Sequence, residues 1–285
     1  MTKITPHRRP FYFGSGRAQA LRSRPDAGGR NARRATRAAT PSGRRATGSP
    51  SGPKHRNAAL DALRGLAIVL MIIDHVAYYF FDIAIEPTNI RMLTRLSMPL
   101  FCGLMGYFLA GRAEVHWRRF YQLCLAACLV NVAFFTVHHK FEILASLLVA
   151  YALFIALRGN LVWGVAAVAL TPWDITAAWF DYPLPVVIAC VAQGMILGRW
   201  GWQAGLLSGC GLMLGWSVVA YPTAYILLYV LPSSLLIAAA AAIGGKEMAR
   251  PAARWLNWLS WLSWLGRYPL SVYVTQYYLI FALAS

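Results

Sequence analysis

Nine apolar stretches follow one another along the chain, at about 60–82, 96–111, 120–137, 143–157, 161–179, 184–198, 202–220, 222–243 and 265–284, most of them near the ~20 residues a helix needs to cross a bilayer core. In lipid a backbone must satisfy its own N–H and C=O groups, so runs of this length fold as helices. The expectation is an all-α fold, a polytopic transmembrane helical bundle of about nine spans. Composition agrees, because only 13% of the residues are charged, about half the share found in a soluble domain. The weakest span is 161–179. Its firmly apolar part, Leu161 to Leu170, is short and is followed by Pro172, Asp174 and Asp181, which reads as a tilted or re-entrant segment.

Charge placement orients the spans. Residues 1–57 hold fourteen of the 27 Lys and Arg, against the single acid Asp26, and so account for most of the formal net charge of +17. That stretch is rich in Gly, Ser, Pro and Ala and lacks the apolar area needed to offset the entropy of ordering, so a disordered basic tail is expected before a membrane domain at 58–285. The tail reads as a solvated cytoplasmic extension. An arm that contacts anionic lipid and a transit peptide are alternatives of the same composition. The high pI of about 10.2 belongs to the tail and does not indicate a nucleic-acid-binding domain. With the N-terminus in the cytoplasm, Arg112, Arg118, Arg119, Arg158, Arg199, Lys246, Arg250, Arg254 and Arg267 all fall on the inner side. The outer loops then carry only Arg91, Arg95 and Lys140 as cations.

Between the last two spans Trp255, Trp258, Trp261 and Trp264 recur every three residues, the pattern of a helix lying at the headgroup level. No internal repeat is visible, which weighs against a transporter built from duplicated halves. The five cysteines lie in apolar runs without CxxC spacing and read as packing residues. No metal site is expected, although the adjacent His138 and His139 are considered for one.

The first span departs from the rest. It contains Asp61, Arg64, Asp74, His75 and Asp82, and an ionisable group at the bilayer centre costs about 2.5–3.5 kcal/mol on insertion scales. Such a helix must face protein or water. Arg64 and His75 are eleven residues apart, which puts them about 20° apart around the axis and about 16 Å apart along it. Asp61, Tyr79 and Asp82 fall near the same face, whereas Asp74 lies about 100° from His75 and is aimed at another helix. One reading is interhelical glue, and another a proton path in a permease. His75 is also the only histidine inside a span, and an imidazole suits the role of a base near neutral pH.

The stretch LDALRGLAIVLMIIDH, Leu60 to His75, resembles the first span of the acyltransferase-3 superfamily, with its Arg followed eleven residues later by His. MIIDH at Met71–His75 and RLSMPLF at Arg95–Phe101 are similar to the TraX-type conjugative-pilin acetylases within it, and LGRYPLSVYVTQ, Leu265 to Gln276, resembles the superfamily's last span. Two departures stand out. Gln276 occupies a position where many relatives have His, and Arg64 one where TraX-type proteins often have Lys. The resemblance implies an integral-membrane acetyltransferase of the bacterial inner membrane, with acetyl-CoA as donor and no metal. The implied acceptor is the N-terminal amine of a membrane-inserted pilin subunit, with O-acylation of an envelope glycan as the alternative. His75 and Asp74 are then the candidate catalytic residues. Arg64, Arg118 and Arg119 are candidates for the phosphates of coenzyme A. Arg95, Tyr79 and Asp82 are candidates for the acceptor or for a developing oxyanion.

Overall fold

The computed structural model describes residues 57–83, 89–110, 116–157, 160–162, 164–166, 175–217, 228–244 and 260–284. Residues 1–56 of the basic tail therefore lie outside the described residues, as do Arg112, Arg158, Lys246, Arg250, Arg254, Trp255 and Trp258. Among the described residues the fold is helical, without a strand: α1 (Ala58–Phe81), α2 (Ile90–Thr94), α3 (Ser97–Ala110), α4 (Trp117–His138), α5 (Ile143–Ala156), α6 (Leu184–Ser217), α7 (Val230–Gly244), α8 (Ser260–Leu265) and α9 (Pro269–Ala284). Three helical stretches, Ile90–Ala110, Trp117–His138 and Leu184–Leu214, are long and apolar enough to cross a membrane. At 24 residues α1 is long enough as well, about 36 Å at 1.5 Å per residue. Its charged residues set it apart from those three in composition.

The expected stretches 60–82, 96–111, 120–137 and 143–157 correspond to α1, α3, α4 and α5, while 222–243 overlaps α7 and 265–284 contains α9. The stretch 161–179 falls largely outside the described residues. The two expected spans at 184–198 and 202–220 correspond to two helical arms of α6, joined at Gly201, where the chain folds back on itself. There φ is 84° and ψ is −178°, a region open in practice only to glycine. The fold-back brings Gln193 against the following arm, where its amide nitrogen donates to the Gly205 carbonyl and its oxygen accepts from Ser208 Oγ at 2.7 Å. In a straight helix residues 193 and 208 would stand about 22 Å apart.

Several helices are placed by local devices. Asn57 caps α1, its side-chain oxygen accepting from the N–H groups of Ala59 (3.0 Å) and Leu60 (3.2 Å), and its amide nitrogen donates to the Ala240 carbonyl of α7. Close crossings are made by glycine. A Cβ on Gly194 of α6 would fall on the Gly103 carbonyl of α3, and one on Gly65 of α1 on the Leu262 carbonyl of α8. Leu262 is thus buried on α1 while Trp261 and Trp264 stay exposed, so α8 is a short amphipathic helix seated on the N-terminal end of α1. On α4, Tyr121, Leu125 and Val132 form an exposed apolar stripe suited to lipid. At the opposite end of α1 two loops pair: Phe141 N–H donates to the Trp179 carbonyl at 2.6 Å, and Asp181 N–H to the Phe141 carbonyl at 2.8 Å.

Candidate active site

The charged stripe of α1 faces a cavity of about 590 Å³ between α1, α3, α4, α5 and α9. Arg64, Arg119 and Arg267 line it near the N-terminal end of α1; His75 lines its middle; Lys140, Asp181 and Tyr182 line it at the paired loops. The cavity thus follows α1 for most of its length.

At the first end Arg64 donates to Asp61 Oδ1 at 2.6 Å, and its guanidinium sits 3.9 Å from the centre of the Phe108 ring. Asp61 is buried, so this pair fixes a guanidinium at the wall of the cavity. Arg119, in the first turn of α4, and Arg267, just before α9, are exposed and contribute to the same mouth. Arg267 was not singled out in the sequence, because it lies 203 positions from Arg64. Arg118 does not line the cavity, since helical rotation carries it away from its neighbour Arg119.

Asp74 is aimed away from His75, as its place on the helix predicts. It accepts from Thr94 Oγ1 at 2.8 Å, pairs with Arg91 Nε at 3.3 Å, and lies 3.7 Å from a terminal nitrogen of Arg95. Arg91 also donates to the Ile83 carbonyl at 2.7 Å and lies over the Tyr78 ring. Asp74 is therefore the anchor that holds α2 and the two arginines against α1. It lines the same cavity as His75 while engaged by these residues. Arg95 also donates to the Tyr182 hydroxyl and lines the cavity. Tyr79 lines it too, with its hydroxyl 3.0 Å from His138 Nε2. Asp82 does not: it ends α1 in a left-handed conformation (φ 46°) and is exposed, because the helix stops before its stripe reaches that far.

His75 is held from the side of α9. Its Nδ1 lies 3.2 Å from the amide nitrogen of Gln276, and the edge of Tyr273 meets its ring with centroids 6.5 Å apart. The Tyr273 hydroxyl in turn donates to Glu142. Glu142 lies before α5 and caps it, accepting from Leu144 N–H at 2.8 Å, while its own N–H donates to Asn131 at 2.7 Å. Burial pushes the Glu142 carboxyl up to about 7, against the smaller opposing effects of its hydrogen bonds. Neither Glu142, Tyr273 nor Arg91 was marked by spacing. The available signal was a lone acid at the head of an apolar run and an arginine one helical turn before Arg95.

Among the described residues no cluster of three or more His, Cys, Asp or Glu side chains is arranged to hold a metal ion. What the arrangement offers is an imidazole in the wall of a cavity, a basic mouth at one end, and two further arginines beyond it. Residues 57–142 match the acyltransferase-3 family model, described as an acyltransferase domain. The matched segment contains Arg64, His75, Arg95, Arg119 and Glu142, and it ends before α9. No curated protein and no solved structure matches the chain. Helices and match together support a membrane protein of the acyltransferase class.

Proposed function

We propose that this protein is an integral-membrane acetyltransferase that uses acetyl-CoA, in which His75 is the general base. The observation that carries this reading is the single cavity joining the arginine mouth to His75 and continuing to the opposite loops. Coenzyme A bears phosphates, which guanidinium groups bind in a bidentate fork. Arg64, Arg119 and Arg267 offer that chemistry where a cytoplasmic donor would enter. The thioester then extends towards His75, about 16 Å along α1.

His75 takes the proton of the acceptor's nitrogen or oxygen as that atom attacks the thioester carbonyl. The carbon–sulfur bond breaks, and the coenzyme A thiolate recovers the proton from the imidazolium. Positive charge from Arg95 stabilises the oxyanion that forms between these steps. The acceptor is the N-terminal amine of a membrane-inserted pilin subunit, as the MIIDH and RLSMPLF segments imply. O-acylation of an envelope glycan is a second reading. Its support is the polar far end, where Lys140, Asp181, Tyr182 and the Tyr79–His138 pair offer hydrogen bonds to a hydroxylated ligand.

The test is transfer of labelled acetyl from acetyl-CoA by the purified full chain in nanodiscs, with envelope proteins and glycans supplied separately. Labelled pilin amine supports the first reading and labelled glycan the second. Absence of label in both fractions, with intact acetyl-CoA recovered, contradicts the assignment.

A further inference from the structure

Gln276 stands 201 positions from His75, on α9 and outside the segment matched by the family model. It is buried, at 7% exposure, and the nitrogen of its amide lies 3.2 Å from His75 Nδ1. Its oxygen is also buried, with no hydrogen-bond partner among the described residues. A carboxamide presents a donor at one end and an acceptor at the other, and a half-turn about its last bond exchanges them. With the nitrogen towards Nδ1, a neutral ring carries its proton on Nε2 and has no basic lone pair to offer. With the oxygen towards Nδ1, the ring carries its proton there and Nε2 is the base. The same half-turn gives the buried oxygen the donor it lacks.

We propose that Gln276 is the positioning residue of His75: its side-chain oxygen accepts Nδ1–H and so leaves Nε2 facing the cavity as the basic nitrogen. The task is one that a carboxylate often performs for a catalytic histidine. Asp74, the nearest carboxylate in sequence, is engaged by Thr94, Arg91 and Arg95 instead. Tyr273, one turn before Gln276, makes a T-shaped contact with the same ring. The neutral amide orients the ring without adding a charge to a span, where charge is costly. During turnover the imidazolium donates from Nδ1 to Gln276 and from Nε2 to the leaving thiolate, so the amide keeps its hydrogen bond through both protonation states.

This inference rests on His75 being the base, and the tests keep the two apart. Nitrogen-15 spectra of the full chain labelled at histidine and held in nanodiscs report the tautomer directly, with His75→Gln identifying the resonance. We expect a neutral His75 protonated at Nδ1, and loss of that preference in Gln276→Leu. A wild-type ring protonated at Nε2 overturns the proposal. In acetyl transfer from acetyl-CoA to an envelope fraction, Gln276→Leu should lose roughly tenfold or more in kcat, with KM for acetyl-CoA changed less than about twofold. Gln276→Glu, which still accepts from Nδ1, should retain more activity than the Leu variant. Equal kcat in wild type and Gln276→Leu, where His75→Ala is inactive, removes Gln276 from the site and leaves His75 in it. Activity in His75→Ala removes both.

Discussion

Arg64 serves two partners at once. It neutralises the buried Asp61, and it forms part of the cavity mouth, so an alanine variant mixes a folding effect with a binding effect. Removing it takes from the buried Asp61 carboxylate the guanidinium 2.6 Å away and should lower stability. A cycle separates the two contributions. Asp61→Asn with Arg64→Ala should recover most of the lost stability, measured by thermal unfolding in detergent. Calorimetric titration should still show coenzyme A binding weakened by roughly 2 kcal/mol, the scale of a charge-assisted hydrogen bond. Wild-type affinity in the double variant would confine Arg64 to its structural pair. Glu142 makes a second residue-scale prediction. Its carboxyl lies at about 7 when folded and near 4.5 when unfolded, so between those values the folded state holds a proton that the unfolded state has lost. Stability should therefore fall as pH rises through this window and level off above it. Glu142→Gln should flatten that slope when unfolding is compared at about pH 5 and about pH 8.

The residues legible in the sequence were those related by helical spacing on one element. The eleven-residue interval gave the common face of Arg64 and His75, and the 100° offset gave the turn of Asp74 towards another helix. What spacing on one element does not convey is which other helix arrives. Tyr273, Gln276 and Arg267 come from the far end of the chain, and Glu142 reaches the site only through the capping of α5. Among elements, the α6 fold-back shows the same limit. Two spans at 184–198 and 202–220 were readable from hydropathy, whereas a reversal at one residue depends on a backbone conformation open to Gly201. Gly201→Ala should destabilise the protein by about 1–3 kcal/mol, the cost of forcing a Cβ into that region. Thermal unfolding of the variant measures it, and a wild-type midpoint would mean that the turn relaxes without strain. The crossing of α3 with α6 should be less forgiving still, since even Gly194→Ala puts a Cβ against the Gly103 carbonyl oxygen, well inside van der Waals contact, and thermal unfolding should show a larger loss than for Gly201→Ala.

In the whole molecule, the helices around the cavity alternate in direction. The Arg64 end and the Lys140 end thus fall on opposite sides of a bilayer if the expected spans cross it. Cysteines introduced at Lys140 and Arg267 should react with impermeant reagents from opposite faces, and deletion of residues 2–52 should leave both that topology and activity intact. Reaction of both from one face would break the account of a cavity open to donor on one side and acceptor on the other. The proposed acyl transfer depends most on His75, in the middle of that cavity. The most direct measurement is acetyl transfer by purified His75→Ala in nanodiscs, alongside coenzyme A affinity and the unfolding midpoint of the same preparation. The account predicts a rate lower by about 10²- to 10⁴-fold, with affinity and midpoint close to wild type. Turnover at the wild-type rate in the folded variant would contradict it.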